Sequence, residues 1–196
     1  DGIQFMADLI NKYHVAPTAE EAANLGTSKL FTGGQIGMTI SGSWAAELIY
    51  KKEIKKFKYD VAPIPKGPKA RVSIICGAAY AVLKRSSHKE EAWELVKFMT
   101  GKGYQRAAAL RSQIIPSRKS VAESDAYYGQ KGDPKNRRAF LYMIQFGKAV
   151  PPVSCAPEMT QIIASEFDLV RLGRESAKEG CMKVKPVVDQ LLKQRE

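Results

Sequence analysis

The chain has 196 residues, 44% of them hydrophobic and 26% charged, which is enough apolar content to build a substantial core and excludes a disordered polypeptide. No run approaches the roughly 18 consecutive apolar residues that a membrane-spanning helix needs, and residues 1–14 lack the basic start and small-residue cleavage site of a signal peptide. The net charge of +11 brings nucleic acid and anionic membranes into consideration, but the excess is central and scattered, the first fifty residues being net acidic and the last stretch balanced.

In chain order, Ile3, Met6, Ile10 and Tyr13 fall at helical spacing, with Phe5 and Leu9 widening the stripe, so the spacing predicts an amphipathic helix ending near His14. It begins without a cap or a preceding strand, and the chain is therefore expected to be the C-terminal remainder of something longer. Thr18 and Glu21 have capping-box spacing and start a second helix expected to run to about Phe31, before the turn Thr32-Gly33-Gly34. Ile36, Met38 and Ile40 alternate with small or polar residues and predict a strand, ending at Ser41-Gly42-Ser43-Trp44, which opens a short helix through Lys52. The densest cationic run, Lys51, Lys52, Lys55, Lys56 and Lys58, uses no arginine and suits a solvated helix end better than a surface that reads bases.

A second strand is expected over Tyr59–Ala62, stopped by the proline-rich stretch 63–68. From Val72 to Leu83 the apolar character is nearly continuous and predicts a buried strand, in which Gly77 permits a bend or a close backbone approach. Ser87 and Glu90 suggest another capping box, for a helix with Ala92, Leu95, Val96 and Met99 at core spacing that ends at Gly101. A helix over Tyr104–Leu110 follows, closed by the extended segment Ile114-Ile115-Pro116. Asp133-Pro134 reads as an N-cap with proline at the first helical position, before a helix carrying Phe140, Leu141 and Ile144. Val150-Pro151-Pro152 forces an extended connection, Pro157-Glu158 begins a helix presenting Ile162, Ile163, Phe167 and Val170, and Pro186 either kinks the terminal helix or starts a separate one. The fold class is α/β, with more helix than strand and the strands clustered in residues 36–83.

Catalytic chemistry finds little support. His14 sits at a helix end and His88 inside a capping box, where both read as exposed surface residues. Cys76, Cys155 and Cys181 make neither a metal spacing nor a CxxC pair, and the expected strand around Cys76 favours inert packing. No metal or cofactor site is expected. Glu158, in the first turn of its helix, is either a ligand contact or a favourable first-turn charge. Trp44 stands directly after a strand end, on a tight turn into a helix, where ligand sites of open α/β sheets gather. An indole there could stack on a sugar face, with serine hydroxyls and helix N–H groups serving the sugar hydroxyls, or it could pack into the core.

The run from Leu30 through Thr32-Gly33-Gly34 to Gly42-Ser43-Trp44 resembles the extracellular solute-binding proteins of ABC importers, the maltose-binding-protein-like family. Tyr59-Asp60-Val61-Ala62-Pro63-Ile64-Pro65-Lys66-Gly67-Pro68 is similar to that family's strand and loop, Glu91–Met99 to one of its helices, and Ile115-Pro116-Ser117 to a short extended segment. The resemblance implies two α/β lobes joined by crossovers, closing on a solute without chemistry. It assigns residues 1–75 and 150–196 to the C-terminal lobe and 78–147 to the N-terminal lobe, with hinge crossovers near 76–78 and 147–150. Segment 78–147 would then be unable to bury its apolar faces within this chain alone.

The resemblance also implies ligand contacts from Ser41, Gly42, Ser43 and Trp44, backbone contacts at Gly77 and Ala78, and polar contacts from Glu158, Thr160 and Gln161. Thr160 and Gln161 replace the aromatics that maltose-binding protein presents at this helix start, and Pro186 departs from an uninterrupted last helix. Cys76 and Cys155 flank the two crossovers, which allows a disulfide between them. The implied partners are a sugar or similarly polyhydroxylated solute, membrane permease subunits and an N-terminal half of the same protein. No nucleic acid is among them, the location is periplasmic or extracellular, and a lipoprotein anchor could be carried by the N-terminal half. A basic nucleic-acid-associated domain is the alternative from another class, and a Cys- or carboxylate-dependent enzyme a third.

Overall fold

The computed structural model describes residues 1–111, 114–150 and 152–193. The first helix, α1, spans Gly2–Asn11. The Thr18 capping box forms: the Thr18 hydroxyl accepts the Glu21 amide at 3.2 Å and the Glu21 carboxylate accepts the Thr18 amide at 2.8 Å. The helix it starts does not run unbroken to Phe31, however. Gly26 adopts φ 75°, a conformation open to glycine, and divides it into α2 (Ala19–Leu25) and α3 (Thr27–Thr32). After Ser41-Gly42 the backbone turns helical, widens into a π-helix over Ala45–Tyr50 and closes with the single turn α4 (Lys51–Glu53).

Strand β1 covers only Ser73–Ile74 and pairs in parallel with β2 (Gly147–Lys148), Ser73 opposite Gly147. Between them lie α5 (Lys89–Thr100), α6 (Lys102–Leu110), α7 (Lys119–Ala122), α8 (Asp125–Tyr128) and α9 (Arg138–Ile144). The chain closes with α10 (Ala156–Arg171) and α11 (Ala177–Lys193).

Several expectations need correction. Ile36–Ile40 and Tyr59–Ala62 form no strand, and of residues 72–83 only the first part pairs. Apolar alternation marks a face, but a strand exists only through a neighbour's hydrogen bonds, and among the described residues these segments have no ladder partner. The stretch expected to be buried is therefore exposed, with Ile74, Tyr80, Leu83 and Cys76 all open to solvent. At Ser87 no capping box forms: Ser86 Oγ accepts the His88 amide at 3.1 Å, and α5 begins at Lys89. Asp133-Pro134 is not a helix start either. Its peptide bond is cis, Asn136 is held by the Asp60 carboxylate at 2.8 Å, and α9 begins at Arg138. Of Val150-Pro151-Pro152, Pro151 lies outside the described residues. Pro186 neither starts a new helix nor ends α11; it sits exposed inside it, where the carbonyl it leaves without an N–H donor can face water.

The chain divides into two compact units, Asp1–Thr39 with the described part of 151–196, and Ile40–Val150. In the first, α1 packs on α10 and α10 on α11 around Ala7, Val170 and Ala177. Two side chains tie the helices together: Asn11 Nδ2 donates to the Arg171 carbonyl at 3.1 Å, and Gln4 Oε1 accepts the Ala177 amide at 3.1 Å. Lys183 bridges Glu175 and Glu166, the latter at 3.0 Å, and these bonds hold its ammonium above the ordinary lysine value.

In the second unit, α6, α7 and α8 enclose Ala109, Val121 and Ala126. Buried Gln105 secures the Ile115-Pro116-Ser117 segment, donating to Ser117 Oγ at 2.8 Å and accepting the Arg118 amide at 3.0 Å. By contacts, residues 40–75 belong with this middle unit rather than with the chain ends, and the pairing of β1 with β2 is one of the bonds that hold them there.

Candidate functional site

Trp44 is not a core residue: 57% of its surface is exposed. Its indole folds back over Gly42, where an added Cβ would lie 2.4 Å from Nε1 and 2.6 Å from Cδ1. Glycine is thus required at 42 for this ring position, a reason stronger than turn formation. The Gly42 carbonyl accepts the Ala45 amide at 3.0 Å and starts the helical turn, Ser43 is half-buried, and Ser41 is exposed.

Beneath this exposed tip the helix is anchored by polar groups. Buried Glu47, one turn after Trp44, accepts from Arg137 Nε at 2.9 Å and Nη2 at 3.4 Å, and Arg137 Nη1 donates to the Gln130 carbonyl at 3.3 Å. The Tyr59 hydroxyl donates to the Ala46 carbonyl at 2.8 Å, the same carbonyl that accepts the Lys51 amide across the widened turn. Burial, and after it the charge of Glu47, pushes the Tyr59 hydroxyl well above the usual phenol range, so it remains a donor. Tyr127, fully buried, is shifted the same way for the same reasons.

None of Glu47, Tyr59 and Arg137 was marked by the sequence as part of this arrangement. The available signal was one carboxylate inside the otherwise apolar Ala45–Tyr50, which at that position demands a partner.

Gly77 and Ala78 lie in the same unit, exposed and outside any helix or strand. A Cβ at Gly77 would meet nothing within 4 Å, so close backbone approach within this chain does not explain that glycine. Gly147 on β2 is the crowded one, its added Cβ lying 2.9 Å from Ile75 Cβ. In the other unit, Pro157 and Glu158 stand in the first turn of α10 as expected, followed by Thr160 and Gln161. Glu158 and Gln161 are three apart, hence on one helix face, and all three polar side chains are exposed. The predicted site residues thus fall into two groups: 41–44 with 77 and 78 in the middle unit, and 158, 160 and 161 in the terminal one.

All three cysteines are free thiols, so Cys76 and Cys155 form no disulfide; Cys76 is exposed rather than packed in a strand, and Cys155 is buried at the N-cap of α10. Among the described residues no cluster of three or more His, Cys, Asp or Glu is placed to hold a metal, and no helix is long and apolar enough to cross a membrane. Of the lysine run, Lys55, Lys56 and Lys58 lie exposed on the loop after α4.

Binding proteins of Brucella abortus (strain 2308), Brucella abortus biovar 1 (strain 9-941) and Brucella suis biovar 1 (strain 1330) are each 27% identical to this chain over 159 residues, covering 81% of it and 38% of their own length. The chain therefore spans well under half the length of the curated relatives it matches. Among solved structures, the ABC substrate-binding protein Lmo0181 from Listeria monocytogenes, in complex with cycloalternan, matches with a TM-score of 0.72 at 20% identity, over 95% of this chain and 47% of that one. The likeness establishes the fold as part of the two-lobe α/β architecture of substrate-binding proteins, here mostly helical with a small sheet. The family model of bacterial extracellular solute-binding proteins matches residues 1–134, well over half of the sequence, and the chain belongs to that family.

Proposed function

We propose that this chain is part of the solute-binding component of an ABC importer and that it captures a sugar, an oligosaccharide or a similarly polyhydroxylated solute without transforming it. The observation that carries the reading is Trp44: an exposed indole on a helix start, seated over a glycine, on a chain of the extracellular solute-binding family. In this reading an aromatic face stacks on the apolar face of a pyranose, with polar contacts from Ser41 and Ser43 and backbone contacts at Gly77 and Ala78, while Glu158, Thr160 and Gln161 are the polar contacts proposed on α10. That the structural neighbour was solved with cycloalternan supports a carbohydrate ligand.

Residues 1–75 and 150–196 belong in this proposal to one lobe and 78–147 to the other, through hinges near 76–78 and 147–150. The contact units divide differently at the first boundary, where bonds that include the β1–β2 pairing hold 40–75 to the middle unit. The remainder of the protein, membrane permease subunits and a periplasmic or extracellular location complete the reading. The proposed N-terminal half would cover the apolar side chains left exposed along 72–83 and on α5, among them Leu83, Trp93, Leu95 and Phe98.

The test is tryptophan fluorescence of the full-length protein titrated with mono- and oligosaccharides, cycloalternan included, at low and high salt, beside Trp44→Ala. A saturable response that salt leaves unchanged and the variant loses supports solute capture. Binding of DNA or heparin that weakens steeply with salt, with no response to any sugar, overturns it in favour of a basic nucleic-acid-associated domain.

A further inference from the structure

The ion pair under Trp44 is a costly arrangement. Arg137 is 1% exposed and Glu47 is nearly as deeply buried, and an apolar pair of similar volume would stabilise the fold at least as well. What the ion pair supplies and an apolar pair cannot is direction: two guanidinium nitrogens on two carboxylate oxygens fix the rotation of the helix segment that carries Glu47. That segment is the π-helix, in which the Lys51 amide reaches back to the Ala46 carbonyl. Widened turns of this kind re-aim the side chains at their ends and recur at functional sites. Trp44 is the residue immediately before the widened segment and one turn before Glu47. Its ring is limited on one side by Gly42, and its backbone runs directly into the turn that carries Glu47.

We infer that Arg137, acting through Glu47, is a positioning residue for Trp44: it holds the widened turn in one rotation and so sets the plane that the indole presents to solvent. The third Arg137 contact, to the Gln130 carbonyl just after α8, fastens this turn to the α6–α8 cluster. The consequence for binding rests on the proposed role of Trp44 as a ligand platform; the positioning itself does not.

The experiment uses full-length protein labelled with 5-fluorotryptophan, the Trp44 fluorine resonance being identified as the line lost in Trp44→Phe. Arg137→Met and the paired variant Glu47→Leu/Arg137→Met are expected to shift or broaden that line. Affinity for the sugar that titrates the wild type should fall about tenfold. The paired variant keeps its thermal stability, because no charge is left buried alone. Arg137→Lys, which keeps the charge but loses the planar fork, gives an intermediate shift and covers the case in which the apolar variants fail to fold. A Trp44 line unchanged in any folded variant of the pair overturns the inference. A line that moves while Trp44→Ala leaves every sugar titration as in the wild type sinks the ligand reading and leaves the positioning role standing.

Discussion

At the scale of single residues, Gly42 and Trp44 form one steric unit. Because a Cβ at position 42 would fall inside the indole's van der Waals radius and the ring is largely exposed, Gly42→Ala should move the ring rather than disturb the core. The expected result is an unchanged melting temperature and, on the proposed reading of Trp44 as a sugar platform, a sugar affinity reduced about tenfold, read by calorimetry and titration of the same samples. A second residue-scale prediction concerns acid. The backbone hydrogen bond from Ser176, and after it the Ser176 hydroxyl, hold the Glu179 carboxyl below its ordinary value of 4.5, and Thr18 does the same for Glu21. A depressed carboxylate contributes stability that is complete above the unfolded value and fades as pH falls through the lower folded one. Between about pH 5 and about pH 3, Glu179→Gln should therefore lose less thermal stability than the wild type. The capping box that makes this so, Ser176 with Glu179, is written in the sequence as Ser-x-x-Glu, the same spacing as Thr18 with Glu21, and both boxes form.

Elements separate into those that carry their own hydrogen bonds and those that borrow them. Helices such as α1, α6 and α10 could be read from periodicity and from proline at a helix start, since a helix closes its bonds within a continuous segment. Local geometry set the helix bounds where they differ from the pattern: φ at Gly26 splits one helix, and α5 has His88 rather than Ser87 at its N-cap, with the His88 amide bonded to Ser86 Oγ. Strands could not be read in the same way. Ile36–Ile40 and Val72–Leu83 have the composition of strands, yet pairing depends on segments remote in sequence, and among the described residues only Ser73–Ile74 finds one. Long-range polar anchors such as Glu47 with Arg137 were hidden for the same reason.

Helix contacts make a testable element-scale statement. Gly180 of α11 lies against Val170 of α10, where an added Cβ would stand 3.2 Å from Val170 Cγ2. Val170→Ala should cost about 2 kcal/mol. Gly180→Ala should be better tolerated in that background than in the wild type, because the new methyl enters the space the first substitution opens. A double-mutant cycle by urea unfolding checks it, and strict additivity contradicts the packing.

At the scale of the whole molecule, what stands out is apolar surface. Met38 is 89% exposed and Ile40 79%, and Ile74, Leu83, Leu95 and Phe98 are also open to solvent. Scattered exposed hydrophobics need no explanation, but these come from the segments with strand-like patterning that lack ladders and from one side of α5. Among the described residues, most of the backbone in these segments has no ladder partner and their apolar side chains have no cover. The relatives are much longer than this chain, and further polypeptide of the same protein could supply both at once, by adding strands beside β1 and layering them against α5. Residues 1–196 expressed alone should accordingly bind a hydrophobic dye such as 8-anilinonaphthalene-1-sulfonate strongly, self-associate with rising concentration, and exchange the amide protons of 72–83 quickly. The full-length protein should bind little dye, remain monodisperse over the same range, and protect those amides by orders of magnitude, because they then lie in a hydrogen-bonded sheet. Equal dye binding and equal exchange in the two proteins would show that these segments are exposed in the whole molecule as well. Their apolar side chains would then mark a surface for another partner.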